Sequence, residues 1–207
     1  MKIDGGLMGN LAKSGDSAKR LESIGFHGAI TAETSHDPFF PLLLAAQETE
    51  NIELVTSIAV AFARTPMNLA NIGHDLNSFS KGRFILGLGS QIRPHITKRF
   101  SMPWSRPAAR MREFILAMRA IWDCWHNGTP LTFQGEFYTH SLMTPMFTPV
   151  DIEFGAPKVF LAAVGPKMSE VAGEVADGIL IHAFTTEKYL REVTLPAVES
   201  GLAKAGK

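Results

Sequence analysis

The run Gly82-Arg83-Phe84-Ile85-Leu86-Gly87-Leu88-Gly89-Ser90-Gln91 sets the architecture. Its first half is apolar without polar alternation, the pattern of a strand covered by helices on both faces of a parallel sheet. Its second half changes character. Gly87 and Gly89 permit close backbone approach or positive φ, and Ser90 and Gln91 bring hydrogen-bonding side chains where the strand must end. The spacing departs from the dinucleotide fingerprint GxGxxG, because Ile92 stands at the third glycine and no helix is expected there. Two glycines at a strand end also make an ordinary tight turn, so this run needs support from the rest of the chain.

Outward from it, strands and helices alternate. Strands are expected at Met1 to Leu7, Gly28 to Ala32, Glu53 to about Val60, the opening run, Lys158 to Val164 and Gly178 to Ile181. Helices are expected at Ser14 to Ile24, with Leu21 and Ile24 inward, at Phe39 to about Thr49, and at Met67 to Ser80. Another follows Gly165-Pro166, and the last spans Glu187 to Ala205 with a bend near Pro196. The helix from Pro107 to His126 carries the clearest signal: Met111, Phe114, Ile115, Met118, Ile121, Trp122 and Trp125 form one apolar stripe, and Asn127-Gly128 ends it. Six strand-helix units imply a parallel sheet with right-handed crossovers, either open and doubly wound or a (β/α)8 barrel two units short. Residues 1–207 read as one domain, with an insertion or lid at about 129–157, a stretch long enough to expect function of it.

Composition narrows the classes. Lys plus Arg and Asp plus Glu number 20 each, so no global field recruits nucleic acid or an anionic membrane. The longest apolar runs, such as Phe39 to Ala46, are too short to span a bilayer. The start Met1-Lys2-Ile3-Asp4 lacks the apolar core of a signal peptide, and the expected compartment is the cytoplasm. Cys124 is the single cysteine, which leaves no internal disulfide and no cysteine metal cluster, and packing is its expected role.

In either architecture ligands bind beyond the carboxyl ends of the strands. Those ends carry Glu33 and Thr34, Ser57, Ser90 and Gln91, Val164-Gly165-Pro166, and His182. A glycine turn opening a helix at Val164-Gly165-Pro166-Lys167 directs backbone N–H groups outward, which suits a phosphate and equally suits an ordinary helix start. No two of the 7 histidines have metal-ligand spacing, so no metal site is expected. His36 and His182 fall near the mouth; His27, His74, His95, His126 and His140 read as solvent or helix-surface residues. No GxSxG occurs, which argues against a serine hydrolase. Arg93, His95, Lys98, Arg99 and Arg106 share one loop, either holding an anionic cofactor tail or simply solvated.

The ordered set Glu33-Thr34-Ser35-His36-Asp37-Pro38, Thr56-Ser57-Ile58-Ala59-Val60 with Arg64-x-Pro66, Ser80 to Gly89, Gly135-Glu136-Phe137-Tyr138, and Ala163-Val164-Gly165-Pro166 with Ala176-Asp177-Gly178 resembles a known family. This is the bacterial luciferase-like group of flavin and deazaflavin (coenzyme F420) oxidoreductases, which are (β/α)8 barrels. Gly89-Ser90-Gln91 and Trp104 to Met111 resemble an F420-dependent subgroup found mostly in actinobacteria.

The resemblance implies a cis peptide at Ser57-Ile58, forming a bulge behind the deazaflavin ring. It places Ala163, Val164 and Gly165 around the cofactor phosphate. Glu33, as the catalytic acid, and Thr34 fall at the ring's edge, with Ser90 and Gln91 opposite. The sugar-phosphate dehydrogenases of the family carry histidine at the Thr34 position and glutamate at the Ser90 position, so their substrate chemistry is not implied. Family members continue through a seventh and eighth strand, which makes a C-terminally truncated barrel the expectation. The leading functional reading is hydride transfer between F420 and an unknown small organic substrate. An FMN-dependent monooxygenase and a non-catalytic barrel remnant are the alternatives. A homo-oligomer is compatible with all three, and specificity would come from Gln91 to Arg106 and Thr129 to Pro157.

Overall fold

The structure, a computed structural model, describes residues 1–7 and 9–207. Its parallel sheet contains β1 (Asp4–Gly6), β2 (Gly28–Thr31), β3 (Glu53–Thr56), β4 (Ala59–Val60), β5 (Phe84–Gly89), β8 (Lys158–Ala163) and β9 (Gly178–Ile181). The antiparallel pair β6 (Phe133–Gln134) and β7 (Thr139–His140) stands apart. The main order is β1-β2-β3-β5-β8-β9, with β4 paired to β5. Each strand is thus laid beside its predecessor without the reversal that defines a doubly wound sheet. This is barrel winding, and the described residues form an incomplete (β/α) barrel.

The helices α1 (Ser14–Ser23), α2 (Phe39–Glu48), α3 (Pro66–Phe79), α4 (Pro107–Asn127) and α5 (Pro166–Val175) flank the sheet. After them come the short α6 (Glu187–Tyr189), a π-helical turn at Leu190–Thr194, and α7 (Leu195–Lys204). The bend expected in the last helix is therefore a π-helical turn just before Pro196. Gly5, whose added Cβ would run into Leu21 of α1, marks the helix-facing side of the sheet. By alternation and register, Ile30, Val55, Ile85, Gly87, Phe160 and Leu180 line the opposite, concave face.

Between sheet and helices lies the main core. Leu54, Leu86, Leu88, Val159 and Leu161 from the strands meet Leu69, Phe114, Met118, Ile121 and Trp122. Each such side chain contributes on the order of 1.5–3 kcal/mol on leaving water. Helix α4 starts with Pro107 at its first position and stops at Gly128, whose φ of +69° fits a residue without Cβ. Trp122 donates its indole N–H to the Ala70 carbonyl at 3.1 Å, so the stripe buries its polar atom with a partner.

Residues 129–157 are held from below. The Glu113 carboxylate accepts the backbone N–H groups of Glu136, Phe137 and Tyr138 at 2.9, 2.6 and 2.6 Å. Asn77 donates to the carbonyls of Phe154 and Gly155 at 3.1 and 3.0 Å, and Ser78 to Asp151 at 2.7 Å. Arg110, read from sequence only as part of a helix, is buried and donates to the Tyr138 hydroxyl and the Pro103 carbonyl at 2.8 and 2.7 Å.

Three expectations need correction. The third strand breaks at Ser57-Ile58, because its register against β5 slips there. Ile24 is 61% exposed: α1 ends at Ser23, and Gly25 turns the chain before Ile24 can follow the helix face. His74 is not a surface residue. It lies buried on α3, its Nε2 3.4 Å from Asp151 and its ring 5.6 Å from that of His126.

Two predictions follow from packing and charge. A Cβ at Gly87 would sit 1.8 Å from the Thr56 carbonyl oxygen, so Gly87→Ala should destabilise by about 3 kcal/mol or more in urea denaturation. Burial, and after it the neighbouring His74, pushes the His126 pKa below the ordinary 6.5, against the pull of Asp123. The unfolded chain then binds that proton more readily than the folded one. The stabilisation is complete above 6.5 and is lost as the pH falls below it. Melting temperature should drop between about pH 7 and about pH 5.5, and drop less in His126→Gln.

Candidate functional site

The site grows from the slip between β3 and β5. Val55 pairs with Ile85, but Ala59 pairs with Leu88, so residues 56–58 oppose only Leu86 and Gly87. This is a one-residue β-bulge, a device that re-aims side chains at the rims of barrels. The ladder is bridged by Thr56, whose hydroxyl donates to the Gly87 carbonyl at 2.8 Å and accepts the Gly87 N–H at 2.9 Å. The Ser57–Ile58 peptide bond is cis. Ser57 N–H donates to the Thr31 carbonyl at 2.6 Å, and the Ile58 carbonyl accepts from Glu33 N–H at 3.2 Å. The Ile58 side chain covers Gly89, where an added Cβ would fall 2.9 Å from its Cδ1.

Glu33 turns its carboxylate into this bulge. Its Oε2 accepts from Val60 N–H and from Arg64 Nη1, both at 2.7 Å, and its side chain is only 6% exposed. Arg64 also donates to Asp37 at 3.0 Å, and the other Asp37 oxygen accepts Phe39 N–H at 2.8 Å, which starts α2. One guanidinium therefore ties the ends of β2 and β4 to the next helix. Arg64 and Asp37 stand within the motifs quoted from the sequence but carry no site role there, because their partnership is a contact across 31 and 27 residues that spacing does not show.

Thr34 is exposed, and its carbonyl accepts from Arg99. Ser90 and Gln91 form the turn at the end of β5. Ser90 donates to the Gln91 carbonyl at 3.1 Å, while Gln91, at φ +60°, accepts Ile92 N–H on its own side chain at 3.0 Å. A π-helical turn, His95–Arg99, follows where sequence reading expects plain loop.

Leu88 pairs with Leu161, so Gly89-Ser90 and Ala162-Ala163 end at one level of the sheet. Ala163 is buried, Val164 is 62% exposed, and Gly165 caps α5 without a side-chain acceptor. A Cβ on Gly165 would meet nothing within 4 Å. A cleft of about 600 Å³ opens there, lined by Gly165 to Met168 and by Arg106 to Ala109 at the start of α4.

The structure thus brings Glu33 against Ile58, with Ser57 bonded to the end of β2, and sets Ser90 and Gln91 between them and the Ala163–Gly165 turn. Of the two histidines read near the mouth, His36 is exposed, and His182 accepts Phe184 N–H at 3.2 Å. Among the described residues no group of three or more His, Cys, Asp or Glu gathers around a metal-sized space, and no helix is long and apolar enough to cross a membrane.

The family model described as luciferase-like monooxygenase matches residues 3–207. An uncharacterized protein of Mycobacterium tuberculosis is 59% identical over 207 residues, which is all of this chain and 61% of that protein. The F420-dependent glucose-6-phosphate dehydrogenase of Rhodococcus erythropolis is 30% identical over 177 residues, 82% of this chain and 50% of that one. Among solved structures, an F420-dependent secondary alcohol dehydrogenase in complex with an F420–acetone adduct superimposes with a TM-score of 0.84 at 21% identity, covering 100% of this chain and 65% of that chain. That last likeness is one of fold.

Removing one partner of a buried, hydrogen-bonded pair costs about 3–5 kcal/mol, less where the other partner keeps a second contact, as Arg64 does with Asp37. Glu33→Ala should therefore lower unfolding free energy by roughly 2–4 kcal/mol, with Glu33→Gln closer to wild type. A loss below about 0.5 kcal/mol in urea titration would show that the carboxylate carries no structural load.

Proposed function

Because the chain belongs to the luciferase-like monooxygenase family, we propose that it serves as an F420-dependent oxidoreductase, moving a hydride between the deazaflavin C5 and a small organic substrate. The observation that carries this reading is the Thr56–Ile58 bulge, held by Glu33 and by Gly87 toward the same ends of the strands that carry the Gly165 turn. Support for F420 comes from relatives that depend on it, such as the Rhodococcus dehydrogenase. The chain spans 61% of the length of its mycobacterial relatives, so the reading concerns the cofactor face first.

The residues present fit such a group. Open space in front of Gly165, with the first-turn N–H groups of α5 lacking a side-chain cap, suits a phosphate. Ala163, Val164 and Gly165 hold that phosphate in this reading, and Ser57 and Ile58 back the ring as an apolar and main-chain shelf. Thr34, Ser90 and Gln91 offer polar contacts along its edge. The cofactor supplies the hydride chemistry when bound.

Glu33 fixes the shelf through Oε2, and its Oε1, which makes no hydrogen bond among the described residues, is the oxygen left to accept a hydroxyl or steady a proton at the ring edge. The loop at 91–106, with the turn at 135–138 that Arg106 joins to it through Glu136, bounds the substrate space in this reading. Thr34 and Ser90, replacing the histidine and glutamate of the sugar-phosphate enzymes, leave that space without a strong acid-base pair. This favours a substrate other than a sugar phosphate.

Titration of the purified chain with F420 and, separately, FMN, followed by cofactor fluorescence, tests the reading. Saturable micromolar binding of F420 with weaker FMN binding is expected. Tighter FMN binding, with oxygen consumed by the reduced complex, would transfer the chain to the monooxygenases. A folded sample that binds neither would overturn the cofactor site altogether.

A further inference from the structure

The loop leaving β5 gathers cations within an acid-free stretch that runs from Leu76 to Arg112. Residues 91–106 carry Arg93, Lys98, Arg99 and Arg106, together with His95, and contain no Asp or Glu. Elsewhere cations are interleaved with acids: Lys2 pairs with Glu53, Arg112 with Glu174, Arg119 with Asp177, Arg191 with Glu187 and Lys204 with Glu170. The whole chain has a formal net charge of +0, so the excess here is local. It stands at the rim of the site.

Three contacts hold the loop in that place. Ile96 is fully buried beneath the π-helical turn, Arg99 donates to the Thr34 carbonyl at the end of β2, and Trp104 packs edge-on against Phe62 at 5.8 Å beside the bulge. Arg99 is spent on a neutral carbonyl, so its charge is not cancelled; Arg106 pairs with Glu136. Arg93, His95 and Lys98 are exposed around the buried Ile96, and among the described residues neither Arg93 nor Lys98 forms an ion pair. The carboxylates beyond the neighbouring end of β2, Glu33 and Asp37, already face Arg64. What sets the loop apart is therefore exposed cations without partners, gathered on one segment at the strand ends.

Resting on the F420 reading above, we infer that this loop binds the oligo-γ-glutamyl tail of the cofactor, with Arg93 and Lys98 each taking a tail carboxylate. FMN has a phosphate but no such tail. The loop would then be the element that separates the two cofactors, while the Gly165 turn, which suits either phosphate, would not. Exposed cations of this kind act through screened attraction, so their effect must weaken with salt.

The test compares F420 carrying several glutamates with the same deazaflavin lacking them, by fluorescence titration of the purified chain. Two exposed ion pairs together give on the order of tenfold in affinity. The glutamylated form should bind about tenfold tighter at low salt, and about 0.5 M salt should remove most of that difference. In the double variant Arg93→Gln, Lys98→Gln the two forms should bind equally, at the affinity of the tail-less form for wild type. Equal affinities in wild type would overturn the loop assignment and leave the F420 reading standing. Binding of neither form by a folded sample would overturn both. A double variant that kept the full preference would assign the tail to other residues and likewise overturn the proposal.

Discussion

The reciprocal hydrogen bonds between the Thr56 hydroxyl and the backbone of Gly87 are the contact on which the rest of the molecule's functional face depends. A parallel ladder that gains a residue on one strand leaves an N–H and a carbonyl of the other without partners inside the core. Unpaired, each costs on the order of 1–3 kcal/mol. Threonine offers a donor and an acceptor on one atom and is short enough to stay within the sheet. The ladder can then resume at Ala59 and Leu88 as if uninterrupted. The arrangement brings the Thr56 carbonyl so close that position 87 can carry no side chain. Gly87, Thr56 and the bulge are one feature read at three positions.

The same economy recurs wherever a loop must keep a fixed shape. A carboxylate accepts N–H groups across the junction of a regular element and an irregular one. Glu33 takes Val60, Glu113 takes Glu136 to Tyr138, Asp177 takes Val159, and Glu22 takes Glu50 to Ile52. For Glu22, burial raises the carboxyl pKa, but the N–H donors of Asn51, Ile52 and Glu50 outweigh it, and the net direction is down. Such staples are stronger than neutral hydrogen bonds because the acceptor is ionised. They explain how residues 129–157, with few buried apolar side chains of their own, hold a defined path along α3 and α4.

Much of this was legible in the sequence because it concerns period and punctuation. The apolar runs of Phe84 to Leu88 and Lys158 to Val164, and the stripe on α4, located strands and helix to within a residue or two. The order of six units narrowed the fold to two architectures; strand order, a property of the assembled sheet, chose between them. The side-chain partnerships were not legible. Nothing in the spacing of Glu33, Arg64 and Asp37 says that one guanidinium serves both acids, since those contacts span 27 and 31 residues. His74 was misread for a related reason. It is polar on an amphipathic helix, and only the return of Asp151 over α3 supplies the partner that lets it be buried.

The incomplete barrel places its site where incompleteness matters least. Among the described residues β1 and β9 have neighbours on one side only, and edge strands are where backbone positions are least constrained. No proposed cofactor contact lies on either. Glu33 and Thr34 follow β2, Ser57 and Ile58 separate β3 from β4, Ser90 and Gln91 follow β5, and Ala163 ends β8. Each of β2, β3, β5 and β8 is paired on both sides, so the heights of these groups are set by ladders internal to the chain. The proposed ring shelf and phosphate turn require only that β3, β5 and β8 stay in register. The concave face of the same ladders, with Ile30, Phe160 and Leu180 only partly covered, is the side on which a closed barrel packs its core rather than its ligand.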